Sequence, residues 1–221
     1  HSRRDSRGSR GGSSPEAGLR PGITVVIPTI PPRKKLLDRA LKSVETQTVS
    51  AAAVIVQTDE TREGAAKTRN RALKLVRTQW VAFLDDDDWF LPNHLETLSS
   101  AAAQEDADVY YSGCIVVDGE GQEIPRQAEW GRFGLEFDPN LLRKKSYIPV
   151  TSLVHSAVAK SSGGFVYPEG SEYEDWGFYL NLLEAGAVFR HVPEITWVWE
   201  HGVGGQYAFD GTHNTSGKSD R

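Results

Sequence analysis

Residues 80–88, WVAFLDDDD, decide the fold: an apolar run is followed directly by four aspartates. Two similar apolar runs come earlier, at residues 23–27 (ITVVI) and 53–56 (AVIV). Short apolar, β-branched runs of this kind predict strands buried inside a sheet. Segments with apolar residues at helical spacing follow each run, so strand and helix alternate three times. This alternation predicts an α/β fold with a mostly parallel central sheet flanked by helices.

The rest of the chain is less regular. We expect helices over residues 36–44, 65–76, 92–103, 139–144 and 175–185. We expect further strands over residues 109–117, 188–192 and 196–199. No internal repeat or change of composition divides these segments, so residues 23–205 are predicted to form a single domain.

The two ends of the chain differ in composition from its middle. Residues 1–22 are rich in Ser, Arg and Gly and have little to bury, so we expect a flexible leader. The chain contains no methionine, and we therefore expect His1 not to be a native start and part of residues 1–20 to be added sequence. Residues 206–221 are expected to be a flexible tail.

Charge and cysteine content exclude several classes of protein. Thirty acidic residues against 25 basic ones give a net charge of −5, which excludes an overall basic surface for nucleic acid. The single cysteine, Cys114, excludes an intrachain disulfide and is interpreted as a buried thiol. No apolar stretch is long enough to span a bilayer, and the start does not resemble a secretory signal. We expect a cytoplasmic protein, soluble or peripheral to a membrane, without a transmembrane segment.

The four aspartates predict a metal site. They follow a buried strand, and the carboxyl edge of a parallel sheet is where open α/β sheets bind ligands. Carboxylate oxygens suit Mg²⁺ or Mn²⁺, and alternate residues of an extended segment, Asp85 and Asp87, point the same way. The alternative is a solvated acidic turn in which Asp88 stabilises the start of the following helix.

Four segments together resemble an enzyme family. TVVIPT (24–29), GAAKTRN (64–70), FLDDDDW (83–89) and EDW (174–176) resemble, in order and spacing, the inverting glycosyltransferases of family 2, which have the GT-A fold. The resemblance extends over residues 22–200. It implies a metal-dependent transferase that moves a sugar from a nucleoside-diphosphate sugar, most often a UDP-sugar, to a hydroxyl acceptor. The acceptor classes left open are saccharide, lipid-linked glycan, protein and modified nucleic acid.

The resemblance also implies roles on the donor side. Pro28 and Thr29 would line the nucleotide pocket, and Asp59 would contact the base or the ribose. Arg69 would contact the base or diphosphate, for which a guanidinium fork is suited. The alternatives are a turn or helix-capping role for Asp59 and a surface position for Arg69 that balances nearby acids.

The same resemblance implies that Asp85 and Asp86 contact the bound donor and that Asp87, with Asp85, holds the metal. His201 would supply a third metal or diphosphate contact, although a lone histidine is also common as a polar loop residue. Gly202, Gly204 and Gly205 after it suggest a mobile loop that closes over the donor.

On the acceptor side, Asp175 matches the family's catalytic base, and Glu174 would orient the acceptor or the loop. Inverting transfer needs a base that takes the proton of the acceptor hydroxyl. The alternative is that both acids stabilise the first turn of a helix. Gly163, Gly164 and Phe165 resemble the family's acceptor-side turn.

Two other functions remain open from the sequence. A nucleotidyltransferase also uses a metal and an α/β sheet, but it would have a glycine-rich phosphate loop after the first strand, and PTIPP (28–32) contains no glycine. A non-catalytic domain that binds sugar nucleotides or glycans is the other alternative, and only turnover distinguishes it from an enzyme.

Overall fold

A central mixed sheet organises the computed structural model, which describes residues 19–104, 106–124 and 133–201. Most of the predicted leader, the tail and the glycine loop after His201 lie outside the described residues. Within the described part, the strands are β1 (Arg20–Thr29), β2 (Ala53–Thr58), β3 (Thr78–Phe83), β4 (Trp89–Phe90), β5 (Val109–Val117), β6 (Leu153–His155) and β7 (Phe189–Glu200). The α-helices are α1 (Lys34–Glu45), α2 (Ala65–Leu75), α3 (His94–Gln104), α4 (Pro139–Leu142), α5 (Ser156–Ser161) and α6 (Glu174–Glu184).

The sheet has the spatial order β2-β1-β3-β6-β5-β7-β4. Strands β1, β2, β3, β5 and β7 run in one direction, and β6 and β4 run in the other. The prediction of a mostly parallel α/β sheet is therefore confirmed. Because β1, β2 and β3 are parallel neighbours, their carboxyl ends meet at one edge, where the acidic residues lie.

Alternating side chains of β1 and β3 fill two apolar cores, one on each face of the sheet. Val26 and Phe83 belong to the core under α2 and α6. Val25 and Ala82 belong to the opposite core, under α1 and α3. The buried strands thus anchor both loops that follow them. Cys114 is buried, as interpreted from the sequence.

The structure differs from the sequence prediction at β7 and at the start of β1. The two strands predicted at 188–192 and 196–199 are one strand, whose pairing with β5 shifts register between Tyr111 and Gly113. Pro193 lies among the extra residues that β7 has at this register shift. The N–H group that proline lacks is not needed for strand pairing there, and the apolar pattern is interrupted at this point. Strand β1 begins at Arg20, inside the segment expected to be the leader.

Three short elements were not predicted: β4, β6 and α5. Strand β6 has three residues and joins the two halves of the sheet through β3 and β5. In the described residues, no helix combines the length and apolar character that a membrane crossing needs.

Candidate active site

Asp86 turns inward and connects the ends of β1 and β3. The Thr29 hydroxyl donates a hydrogen bond to Asp86 Oδ2 (2.6 Å), and Arg33 Nη1 lies 2.8 Å from Asp86 Oδ1. Pro28, next to Thr29, is buried in β1. Burial raises the pKa of Asp86 to about 7, although Arg33 lowers it and Asp87 adds to the increase. Asp86 therefore orders the loop from within, and its contact with a donor remains a prediction.

Asp85, Asp87 and Asp88 form the group that could hold a cation. One carboxylate oxygen from each residue lies within 4.8 Å of the others. Three carboxylates are a donor set that suits a hard divalent ion, so the residues fit Mn²⁺ or Mg²⁺. The sequence predicts Asp85 and Asp87 in this group and assigns Asp88 only to the start of the following helix.

The electrostatics of this group favour a bound cation. Burial raises the pKa of Asp87, which Arg33 counteracts through an ion pair of 2.9 Å. Burial also raises the pKa of Asp88 well above its ordinary value, and the negative charges of Asp87 and Asp85 raise it further. A cation at this position would offset both effects, because it favours the ionised carboxylates.

Two arginines that the sequence pattern did not indicate support the acidic loop, residues 85–88. Arg33 is only 7% exposed and pairs with Asp86 and Asp87. Arg39, on α1, donates from Nη2 to the Asp87 carbonyl (2.6 Å) and pairs with Glu200. The signal that could have found them is their position after β1, because that segment must return past the same sheet edge as the acidic loop.

Arg69 links the acidic loop to α6. It is 3% exposed, and its two terminal nitrogens donate to Asp85 Oδ1 and to Glu174 Oε1. Its guanidinium lies over the ring of Phe165, 5.5 Å from the centroid. Burial acts to lower the pKa of Arg69, but the carboxylates of Asp85 and Glu174 raise it above its ordinary value. The alternative of a surface arginine is thereby wrong.

Asp175 lies in the first turn of α6 and is partly exposed. Its Oδ1 accepts the backbone N–H of Trp176 (2.8 Å), so it also stabilises the helix start, as the alternative proposed. Burial raises the pKa of Asp175 to about 7, Glu174 raises it further and Arg69 lowers it. A carboxyl group with a pKa near neutrality is suited to accept and release a proton.

The turn at residues 163–165, which is predicted to lie on the acceptor side, packs directly against α2. The amide of Asn70 donates to the Phe165 carbonyl (2.8 Å) and accepts the Phe165 N–H (2.9 Å). Gly164 has φ +75°, and a Cβ there would lie 2.4 Å from Asn70 Oδ1, so glycine is required. This turn is therefore held next to Arg69.

Asp59 and His201 lie outside the candidate cation group. Asp59 is 1% exposed, and its carboxylate oxygens accept the N–H groups of Glu63 (2.9 Å) and Gly64 (2.7 Å). The turn alternative is thus what the geometry shows for Asp59, because both N–H groups precede the first residue of α2. The backbone N–H of His201 donates to Val117 (2.8 Å), and its ring contacts Trp199 edge-on. The predicted donor contacts of both residues remain predictions.

Comparison with known proteins shows which family and fold this chain is similar to. Residues 52–159 match the family model described as Glycosyl transferase family 2. A GalNAc(5)-diNAcBac-PP-undecaprenol β-1,3-glucosyltransferase of Campylobacter jejuni is 27% identical over 150 residues, covering 56% of this chain and 47% of that protein. The chain thus spans about half the length of this relative.

Solved structures share the fold. Residues 1–349 of S. aureus TarS in complex with UDP-GlcNAc match with a TM-score of 0.65 and 18% identity, covering 90% of this chain and 62% of that one. The mannosyltransferase PcManGT from Pyrobaculum calidifontis, in complex with GDP-Man and Mn²⁺, matches with a TM-score of 0.58 and 16% identity, covering 86% and 60%. At these identities the likeness shows the fold alone. The family model, the relative and the fold agree with the four sequence motifs, and together they show a chain that is similar to the family 2 glycosyltransferases and has a GT-A fold.

Proposed function

We propose that this protein is a family 2 glycosyltransferase that moves a sugar from a UDP-sugar to a hydroxyl group, with inversion at the anomeric carbon and with a divalent cation. The Arg69 bridge is the observation that supports this most strongly. One buried guanidinium holds Asp85 of the cation group and Glu174, the neighbour of Asp175. The donor side and the base are thus fixed relative to each other, as a displacement in a single step requires.

The cation would be held by Asp85, Asp87 and Asp88. When bound, Mn²⁺ or Mg²⁺ supplies Lewis-acid neutralisation of the departing nucleoside diphosphate. The PcManGT structure was solved with GDP-Man and Mn²⁺, which supports this choice of ion. Pro28, Thr29, Asp59 and Asp86 are proposed to shape the nucleotide pocket, with His201 as a further contact to metal or diphosphate.

Asp175 is proposed to be the catalytic base, with Glu174 orienting it through Arg69. Its carboxylate takes the proton of the acceptor hydroxyl as that oxygen bonds to the anomeric carbon. The bond between that carbon and the diphosphate oxygen breaks with its electron pair on the diphosphate. The proton leaves Asp175 for solvent, which a pKa near 7 allows.

UDP is the proposed nucleotide, because TarS has been solved with UDP-GlcNAc. A glycan hydroxyl is the proposed acceptor, and the name of the Campylobacter relative points to a lipid-linked glycan within that class. Protein and modified nucleic acid acceptors are the other outcomes of an acceptor screen.

Diphosphate release from a panel of nucleotide sugars, with Mn²⁺ or with EDTA, tests the proposal. Asp87→Ala should lose both donor binding and turnover. Asp175→Asn should keep donor binding in calorimetry but lose transfer by about 10²- to 10⁴-fold. Asp38→Asn, an exposed acid on α1, is the matched control. NMR of the product reports the anomeric configuration.

Three results would contradict parts of the proposal. Undiminished transfer by Asp175→Asn would exclude it as the base, and retained configuration would exclude direct inversion. Nucleotide binding without diphosphate release in the presence of any acceptor would favour the non-catalytic alternative.

A further inference from the structure

An ion pair between Arg39 and Glu200 lies directly against the acidic loop. Arg39 lies on α1, and Glu200 is the last residue of β7. The two terminal nitrogens of Arg39 donate to the two carboxylate oxygens of Glu200, at 3.0 and 2.7 Å. The Glu200 side chain is 5% exposed, so this fork-to-fork pair is shielded from water on the glutamate side.

Both partners of this pair also bind the acidic loop. Arg39 Nη2 donates to the carbonyl of Asp87 (2.6 Å), and the Glu200 backbone N–H donates to Asp88 Oδ1 (3.0 Å). The Arg39 guanidinium also lies over the ring of Trp89, 4.2 Å from its centroid. The pair therefore holds the main chain of Asp87 and the carboxylate of Asp88 without contributing an atom to the cation group.

We propose that Arg39 and Glu200 are positioning residues that orient Asp87 and Asp88 for a divalent cation. This rests on the proposed function, since it requires that Asp85, Asp87 and Asp88 bind the ion. Buried like-charged carboxylates move apart unless their neighbours hold them, and groups that hydrogen-bond to metal ligands set ligand direction. Loss of such a group typically weakens metal binding by about 10- to 100-fold.

The direction in which removal of Arg39 changes the affinity for a divalent ion distinguishes a positioning role from a purely electrostatic one. Arg39 is itself a cation beside the site, so on through-space electrostatics alone its removal would tighten binding of a divalent ion. Positioning predicts the reverse, because the Asp87 main chain and the end of β7 lose a shared anchor. Removing Arg39 and Glu200 together leaves the net charge unchanged. The double variant therefore isolates the geometric contribution.

Mn²⁺ titration of the purified, metal-free protein, with free Mn²⁺ measured by electron paramagnetic resonance, tests the inference without any turnover. The variants are Arg39→Gln, Glu200→Gln and the double variant. The control is the double variant Lys34→Gln, Asp38→Asn, which removes an exposed ion pair of 2.7 Å from the same helix. We expect the three site variants to bind Mn²⁺ about 10- to 100-fold more weakly and the control to bind like the unsubstituted protein.

The possible results have distinct meanings. Tighter binding by Arg39→Gln with an unchanged double variant would overturn the inference, because the pair would then act through charge alone. Unchanged binding in all three site variants would overturn it as well, while leaving the proposed function intact. Failure of the unsubstituted protein to bind Mn²⁺ would overturn the proposed function and this inference with it.

Folding is checked by circular dichroism and by the Tm of each metal-free variant. If Arg39→Gln does not fold, Arg39→Lys decides, because it keeps the charge but replaces the fork by a single ammonium group. Weaker Mn²⁺ binding by Arg39→Lys would support positioning, and binding equal to that of the unsubstituted protein would overturn it.

Discussion

Replacing Gly177 by alanine tests how tightly α6 is packed beneath the proposed base. Gly177 lies two residues after Asp175, inside α6 and not at its end. A Cβ at this position would lie 2.0 Å from the Val166 carbonyl oxygen and 2.9 Å from its carbon. Both are backbone atoms, so no side-chain rotation relieves the contact.

The magnitude follows from two opposing effects. In an exposed helix, Gly→Ala stabilises by about 1 kcal/mol through helix propensity. Here the helix must move away from Val166 by roughly 1 Å before the contact reaches the tolerable range, and overpacking of this kind costs about 3 kcal/mol. The net effect is a loss of about 2 kcal/mol, which lowers the Tm of a domain of this size by about 4 to 8 °C.

The same movement carries Asp175 away from the reacting atoms. A misplacement of about 1 Å can lower a catalytic rate by about 10²-fold, so we expect kcat to fall by about 10- to 100-fold while donor KM changes little. Thermal unfolding and steady-state transfer assays measure the two effects. Ser100→Ala, at an exposed position of α3, controls for helix propensity and should raise the Tm slightly. A Gly177→Ala protein with an equal or higher Tm and unchanged kcat would refute the packing argument.

Four further expectations follow from the site. The transfer rate should rise with pH through a midpoint near 7, because Asp175 must be ionised and burial raises its pKa to about 7; a rate that is flat between about pH 5.5 and 8.5 would contradict this. Without metal, the free energy of unfolding should fall as pH rises from about 4 to about 7, because the folded Asp86 and Asp175 hold protons that the unfolded chain has released; urea melts across this range would show no such fall if the two carboxyls titrate normally. Arg69→Met should destabilise the protein by about 3 kcal/mol in urea melts, because it leaves two partly buried carboxylates without their cation, and an unchanged midpoint would show that the bridge contributes nothing to stability. Asp59→Ala should lower stability by about 1 to 2 kcal/mol because the buried N–H groups of two turn residues before α2 lose their acceptor, and a raised donor KM with unchanged Tm would favour the ribose contact over the turn role.

Local sequence pattern was sufficient for the parts of the fold that depend on short-range order. Strands β1 and β3 were predictable because a strand that is covered on both faces of its sheet must carry apolar side chains on both. This holds whichever strands lie beside it. The acidic edge followed from them, since Asp85 and Asp87 come directly after a strand of known direction. Asp175 came from the resemblance of EDW (174–176), because an acid in a first helical turn is by itself equally consistent with capping.

Long-range pairing was out of reach of the same reasoning. Arg39 and Glu200 are 161 positions apart and meet only because β7 ends beside the acidic loop. Strand β6, with three residues, is too short for any periodicity to show, yet it joins the two parallel halves of the sheet. Arg33 follows two prolines in a segment without helical or strand pattern. Its position after β1 indicates the sheet edge, but the burial of its guanidinium depends on long-range pairs with Asp86 and Asp87.

The distribution of arginines at the sheet edge explains why this site is suited to a cation. Seven carboxyl groups meet three guanidinium groups there, in a set made up of Asp85, Asp86, Asp87, Asp88, Glu174, Asp175 and Glu200 with Arg33, Arg39 and Arg69. Two of the arginines each contact two carboxylates, and the third donates to one carboxylate from both terminal nitrogens. Asp88 and Asp175 instead accept backbone N–H groups. These are also residues whose pKa burial raises. The protein's own cations thus order the edge without neutralising it, and the remaining negative charge lies beside the proposed base and in the group proposed to hold the metal of the donor.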